Sequence, residues 1–205
     1  MMSSEIIIKS EQFVKAEFEK SEASKLTYHN WQHTETVRKA VELIASNTKG
    51  VGENEKEYLI LGALFHDLGY LTEAEGHEKR SAEIAAEFLS KEGYDEKGIQ
   101  EVKEIILATE LHHNPKNTLE EIIRDADLAH LGDEDYMNTT YKALAEEIKC
   151  CSEKKLSDKE WARKCVVFLS AHRYLTNFAR KHFGVNKRKN IEKLKRQLQV
   201  LNANK

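Results

Sequence analysis

Apolar side chains recur at helical spacing along almost the whole chain. Ile7, Val14 and Phe18 share one side of a segment over residues 4–20. A polar stretch at residues 21–27 then interrupts the pattern. Val37, Val41 and Ile44 stand at i, i+4 and i+7 and predict a second helix from about Asn30, ended by Gly50 and Gly52. Asn54-x-x-Glu57 opens a very apolar helix predicted to close around His66–Gly69, since a glycine just past a helix is a common stop. Further helices are predicted over 77–91, 97–113, 117 to about 131, 134–152, 158–173 and 175–183, with a last one after Asn186. Asn117-x-x-Glu120 resembles a capping box, and Ser157-x-x-Glu160 is the clearest one in the chain. No segment alternates with a period of two. The pattern predicts an all-α protein of nine or ten helices.

Composition supports that reading. The 205 residues include one proline and nine glycines, too few for the many tight turns of a sheet-rich fold. A chain of this length suggests one large domain or two small ones, at ~100–200 residues per domain. No linker, repeat or low-complexity tract marks a boundary, so a single domain over 1–205 is expected. Lys and Arg number 32 and Asp and Glu 35, a net charge of −3 that leaves no basic footprint for nucleic acid. The longest apolar run, residues 58–65, falls far short of the ~20 residues that a membrane span needs. Residues 1–10 lack the basic start and apolar core of a signal peptide. Cys150, Cys151 and Cys165 form no disulfide framework, and reduced thiols point to a cytoplasmic protein.

Helical phase then shows which polar residues face inward. His33 continues the Val37/Val41/Ile44 stripe, and Asp127 continues Leu119 and Ile123 at steps of four. His66 and Asp67 end the apolar 59–65 run. A lone inward histidine is most simply a hydrogen-bonded core residue. Two histidines and two aspartates on buried faces of three helices are harder to explain that way, because a buried carboxylate is costly unless paired or metal-bound. Imidazole nitrogen and carboxylate oxygen together suit a divalent transition metal. Four such ligands leave open positions on an octahedral ion, as a catalytic site requires.

The order His33 … His66-Asp67 … Asp127 resembles the H…HD…D signature of HD-domain metal-dependent phosphohydrolases. Ala63-Leu64-Phe65-His66-Asp67-Leu68-Gly69 matches the family's apolar-HD-x-G form, and Asp125-Ala126-Asp127-Leu128 its final element. Tyr28-His29-Asn30-Trp31-Gln32-His33 is similar to the Y-H-N-x-x-H segment of cyclic-nucleotide phosphodiesterases. Thr109-x-x-His112 and the segment from Ala171 resemble a group of small bacterial HD phosphohydrolases, so the likeness runs over nearly the whole chain. It implies an HD-type helical bundle with a metal-site core over about 26–132 and the helices of 133–205 packed on it.

The resemblance also implies site roles. His33, His66, Asp67 and Asp127 would hold a divalent ion (Mn, Co, Ni, Fe, Mg or Zn) that lowers the pKa of a water, with Asp67 essential to catalysis. His29 would be the general acid that protonates the leaving oxygen. Asn30 either orients the site from behind or caps the helix. Some members hold a second metal with the HD aspartate bridging; His77, His112 and His113 are the candidates for that metal or for the substrate phosphate. On a helix His112 and His113 point ~100° apart, so one of them must turn away. Lys79 and Arg80 are either phosphate contacts or an exposed charged face. The implied partner is a small phosphorylated metabolite or nucleotide, with no nucleic acid and no membrane.

The chain shows neither the glutamine and aromatic clamp of the larger phosphodiesterases nor the Glu-Asp pair that follows HD in alarmone hydrolases. Two other classes stay open: an HD-fold di-iron oxygenase, and a non-catalytic module that senses a nucleotide. The charged last helix, residues 187–205, is either a solvated face with one packed stripe or an interface with a second copy.

Overall fold

A computed structural model describes residues 5–20, 26–151 and 156–203. Most of the predicted polar break at 21–27 lies outside the described residues. Among the described residues there is no strand, and the helices number ten. They are α1 (Glu5–Lys20), α2 (Trp31–Ser46), α3 (Glu53–Phe65), α4 (His77–Lys91), α5 (Glu96–Leu107), α6 (Thr118–Asp127), α7 (Thr140–Cys151), α8 (Asp158–Ala171), α9 (Asn177–His182) and α10 (Gly184–Ala203). Short 3-10 turns follow α3 and α6, at Leu68–Leu71 and Ala129–Gly132.

Side-chain caps explain several helix starts. Asn30 takes the N–H groups of Gln32 and His33 and starts α2. Ser157 and Glu160 form the reciprocal box that starts α8. The box predicted at Asn117 is half formed. Its side chain accepts from Glu120 N at 2.9 Å, but a Glu120 carboxylate oxygen turns to Lys116 N, also at 2.9 Å.

Four predicted ends need correction. The helix expected from 117 to about 131 stops at Asp127, and a separate 3-10 turn follows at Ala129–Gly132. The helix expected over 97–113 stops at Leu107. The Arg124 guanidinium takes the carbonyls of Ala108, Glu110 and Leu111, at 2.6, 2.6 and 3.1 Å, and so holds them away from a further helical turn. His112 and His113 therefore lie past the helix, where helical phase does not set their directions. The helix expected from 134 begins at Thr140, because turns anchored on the Asp133 and Asp135 carboxylates hold the chain before it. The helix expected after Asn186 begins earlier, at Gly184.

The contacts divide the chain into two compact units. One contains α1 and residues 29–127; the other contains residues 26–28 and 128–203.

In the first unit α3 is the central rod. Leu59, Leu61, Ala63, Leu64 and Phe65 are fully buried, and α3 touches α1, α2, α4, α5 and α6. A helix apolar on all sides is buried on all sides. Two glycines allow close approaches. A Cβ on Gly62 would meet Ile105 Cγ2 at 2.4 Å, so only glycine lets α3 and α5 touch there. A Cβ on Gly69 would stand 2.2 Å from the His77 carbonyl oxygen, so the turn after α3 rests directly on the first residue of α4. Ser81 Oγ accepts the Gly69 N–H at 2.9 Å and fastens the same contact.

In the second unit α10 packs along α8. Leu131, Tyr136, Tyr141, Cys165, Leu169 and Leu194 form its core. Along the predicted stripe of α10, Leu194 is buried and Ile191, Leu198 and Leu201 are half-buried. Asn190 donates to the Leu131 and Asp133 carbonyls at 3.0 and 2.7 Å and ties α10 to the turn after α6. His130 meets the Tyr28 hydroxyl at 2.9 Å, His172 Nδ1 accepts from Lys187 at 2.9 Å, and His182 stacks on Phe178.

Candidate metal centre

Three helices of the first unit deliver the inward polar residues to one point. His33 comes from the first turn of α2, where Asn30 receives its N–H. His66 and Asp67 follow the last turn of α3, and Asp127 ends α6. Nε2 of His33, Nε2 of His66 and an oxygen of Asp127 lie within 4.8 Å of one another. Asp67 Oδ2 stands 3.3 Å from His33 Nε2 and 3.1 Å from His66 Nε2. Asp127 Oδ1 stands 3.2 and 3.6 Å from the same two nitrogens, which are 3.4 Å apart. His33, His66 and Asp67 are buried, and Asp127 is partly exposed.

These donors fit a cation. His66 Nδ1 lies 2.8 Å from the Ala63 carbonyl, which can only accept. A proton therefore sits on Nδ1, which leaves Nε2, the nitrogen facing Asp67 and Asp127, as the one that could offer a lone pair to an ion. Asp67 Oδ2 is buried without a hydrogen-bond partner. Ligand atoms held ~2.0–2.2 Å from one ion at 90–109° stand about 2.8–3.6 Å apart. The five separations above, 3.1–3.6 Å, all fall in that range.

Electrostatics point the same way. Burial opposes charge on His33 and His66, yet contacts with Asp127 and Asp67 hold both rings above the ordinary imidazole value, His66 well above it. Burial likewise opposes charge on Asp67 and Asp127, yet the two rings hold both carboxyls below the usual range. A buried and a partly exposed carboxylate thus demand positive charge at this point, and a divalent ion would supply it without protons.

His77 stands beside this group. Its Nδ1 lies 3.0 Å from the Ala74 carbonyl. Its Nε2 lies 3.5 Å from Asp67 Oδ1, the oxygen turned away from His33 and His66. The direct seat of Gly69 on His77 sets this spacing.

His29 is held by Tyr70, their rings stacked at 3.9 Å, and its ring centre is 6.1 Å from that of His33. Tyr70 also meets His77 at 3.9 Å, so one phenol ring lies against both histidines. Sequence reading missed Tyr70. Its position three residues past Asp67, in the turn that leaves the centre, was the available signal.

The other candidates are placed differently. His113 Nε2 contacts the buried Glu120 carboxylate at 2.7 Å, and His112 is exposed. Lys79 is exposed, and Arg80 pairs with Glu83 at 3.0 Å. Asn30 caps α2 directly behind His33.

A helical unit that brings two imidazoles and a carboxylate within 4.8 Å of one another, with a second carboxylate beside both rings, is an all-α fold that could hold a metal ion. The family model for the HD domain matches residues 30–133, a little over half of the 205 residues, and spans all four donors and His77. The chain therefore belongs to the HD-domain family, whose members are mostly metal-dependent hydrolases. No match was found among curated proteins or among solved structures. No helix among the described residues is long and apolar enough to cross a membrane.

Proposed function

We propose that the protein is a metal-dependent phosphohydrolase, acting in the cytoplasm on a phosphate monoester or phosphodiester of a nucleotide or related small metabolite. The observation that carries this reading is the approach of His33 Nε2 and His66 Nε2 to each other, to Asp127 Oδ1 and to Asp67 Oδ2, at separations of 3.1–3.6 Å. A divalent ion held there supplies Lewis acidity toward a phosphate oxygen and acidifies a water near neutral pH.

The chain's own groups do the rest. Asp67 would help hold the ion through Oδ2, and His77, whose Nε2 lies 3.5 Å from Asp67 Oδ1, would serve a second ion or donate to a substrate phosphate. His29 is the proton donor to the leaving oxygen, and Tyr70 fixes its ring plane by stacking. Asn30 positions His33 by capping its helix. His112 and His113 stand outside this ligand set.

Purified protein supplied with Mn²⁺, Co²⁺, Ni²⁺ or Mg²⁺ is expected to hydrolyse a generic phosphodiester or a nucleotide. Asp67→Ala should abolish turnover with the helical circular dichroism unchanged. Full activity in that variant would sink the assignment.

A further inference from the structure

The second unit carries a basic cavity that the metal chemistry does not use. Its volume is about 640 Å³, within the ~300–1,000 Å³ typical of small-molecule sites. Arg173, Arg180, Lys187, Arg188 and Lys195 line it, against one carboxylate, Glu192. Glu192 is committed to Lys195 at 2.9 Å. Among the described residues, none of the other four cations has a carboxylate within ion-pair distance.

Helix ends account for part of this charge. Arg173 donates to the Ser170 and His172 carbonyls at 2.6 and 2.8 Å, where α8 ends. Lys187 is buried and donates to the His172 carbonyl at 2.6 Å. Arg180 donates to the Leu175 carbonyl at 2.6 Å and to Asn177 Oδ1 at 2.6 Å. Cations at the C-terminal end of a helix are favourable. That explanation does not reach Arg188, which is exposed on α10 and reaches back to within 3.8 Å of the Cβ position of Gly184. Nor does it account for four cations around one concavity, whose mutual repulsion destabilises the folded chain until an anion enters.

We propose that this cavity binds a small molecule bearing a diphosphate group. Guanidinium forks match phosphate oxygens in pairs, and three of the four uncompensated cations are arginines. A diphosphate carries about three negative charges near neutral pH, since the later ionisations of phosphates fall near 6. That charge is close to what the cavity lacks, and a single phosphate leaves more of it unmet. Tyr174 and Ile191 add an apolar wall for an organic group on the phosphates.

The test is calorimetric titration of the full chain, stripped of metal with EDTA, using pyrophosphate, ADP and inorganic phosphate at low salt. One pyrophosphate or ADP per chain is expected, with inorganic phosphate at least about tenfold weaker. ADP tighter than pyrophosphate identifies an organic diphosphate using the Tyr174 wall; the reverse identifies inorganic diphosphate. Arg188→Glu should weaken both at least about tenfold with the circular dichroism unchanged. Arg188→Gln serves the same purpose without reversing the charge. Asp127→Ala, at the metal centre, should leave binding intact. Absence of binding, binding indifferent to both Arg188 variants, or binding lost in Asp127→Ala overturns the proposal. Neither metal nor turnover enters this measurement, so its failure and that of the hydrolase reading are separately visible.

Discussion

His66 reaches the centre with its Nδ1 proton committed to Ala63, which makes Nε2 the nitrogen that could bind an ion. Replacing it removes one donor and leaves Asp67 and Asp127 with His33 as the one ring they still share. His66→Ala should lower Mn²⁺ affinity at least about tenfold by calorimetry, in line with losses typical of disturbed metal sites; unchanged affinity would mean the ion binds elsewhere. Gly69 acts by having no side chain. A methyl group there meets the His77 carbonyl at 2.2 Å, so Gly69→Ala should destabilise by about 1–3 kcal/mol in urea melts and push His77 off Asp67. Lys187 is a third case. Burial, with the Arg173 charge beside it, brings its ammonium down from 10.5 to about 8. The unfolded chain therefore keeps a proton that the folded chain releases between about pH 8 and 10.5, so the penalty of charged Lys187 is full below that window and fades across it. Relative to Lys187→Met, the native protein should gain unfolding free energy as pH rises through the window. A constant difference between the two would contradict this.

At the scale of elements, ends were harder to read than middles. Helical phase placed His33 and Asp127 on inward faces because each continues an apolar stripe on its own helix, and the chain alone carries that information. The end of α5 depended on Arg124, which follows Leu107 by 17 residues and folds back onto three carbonyls. No local pattern encodes such a contact, and the positions of His112 and His113 were lost with it. Tyr70 escaped notice for the same reason, since its ring joins His29 from before α2 to His77 from α4. The box at Ser157 was legible because both partners lie within four residues. Two substitutions measure these devices by chemical denaturation. Ser157→Ala should cost about 1 kcal/mol through the lost cap. Arg124→Met should cost about 2 kcal/mol, because charged hydrogen bonds to three carbonyls are lost while the side chain's bulk is retained. A loss for Arg124→Met no larger than that for Ser157→Ala would mean that the carbonyls find water instead.

For the whole molecule, the donors belong to one unit but to distant parts of the chain: residue 33, residues 66 and 67, and residue 127. An unfolded chain must close long loops before it can present them together. An ion that binds only the folded chain shifts the folding equilibrium by mass action. The melting temperature should therefore rise with Mn²⁺ concentration and fall on adding EDTA. His66→Ala should lose that response, and a response retained in the variant would place the ion outside the four donors. The near-neutral net charge of −3 conceals two local excesses, acidic at the metal centre and basic around the cavity between α8 and α10.

The spread of the donors also imposes an order in time. Sixty residues separate Asp67 from Asp127, and a ribosome adding about 5–20 residues per second needs about 3–12 seconds to make them. During that interval the emerging chain already holds His33, His66 and Asp67 but lacks the carboxylate that completes the set. The centre can close only once α6 has left the ribosome, so ion capture belongs to the late steps of this unit's folding.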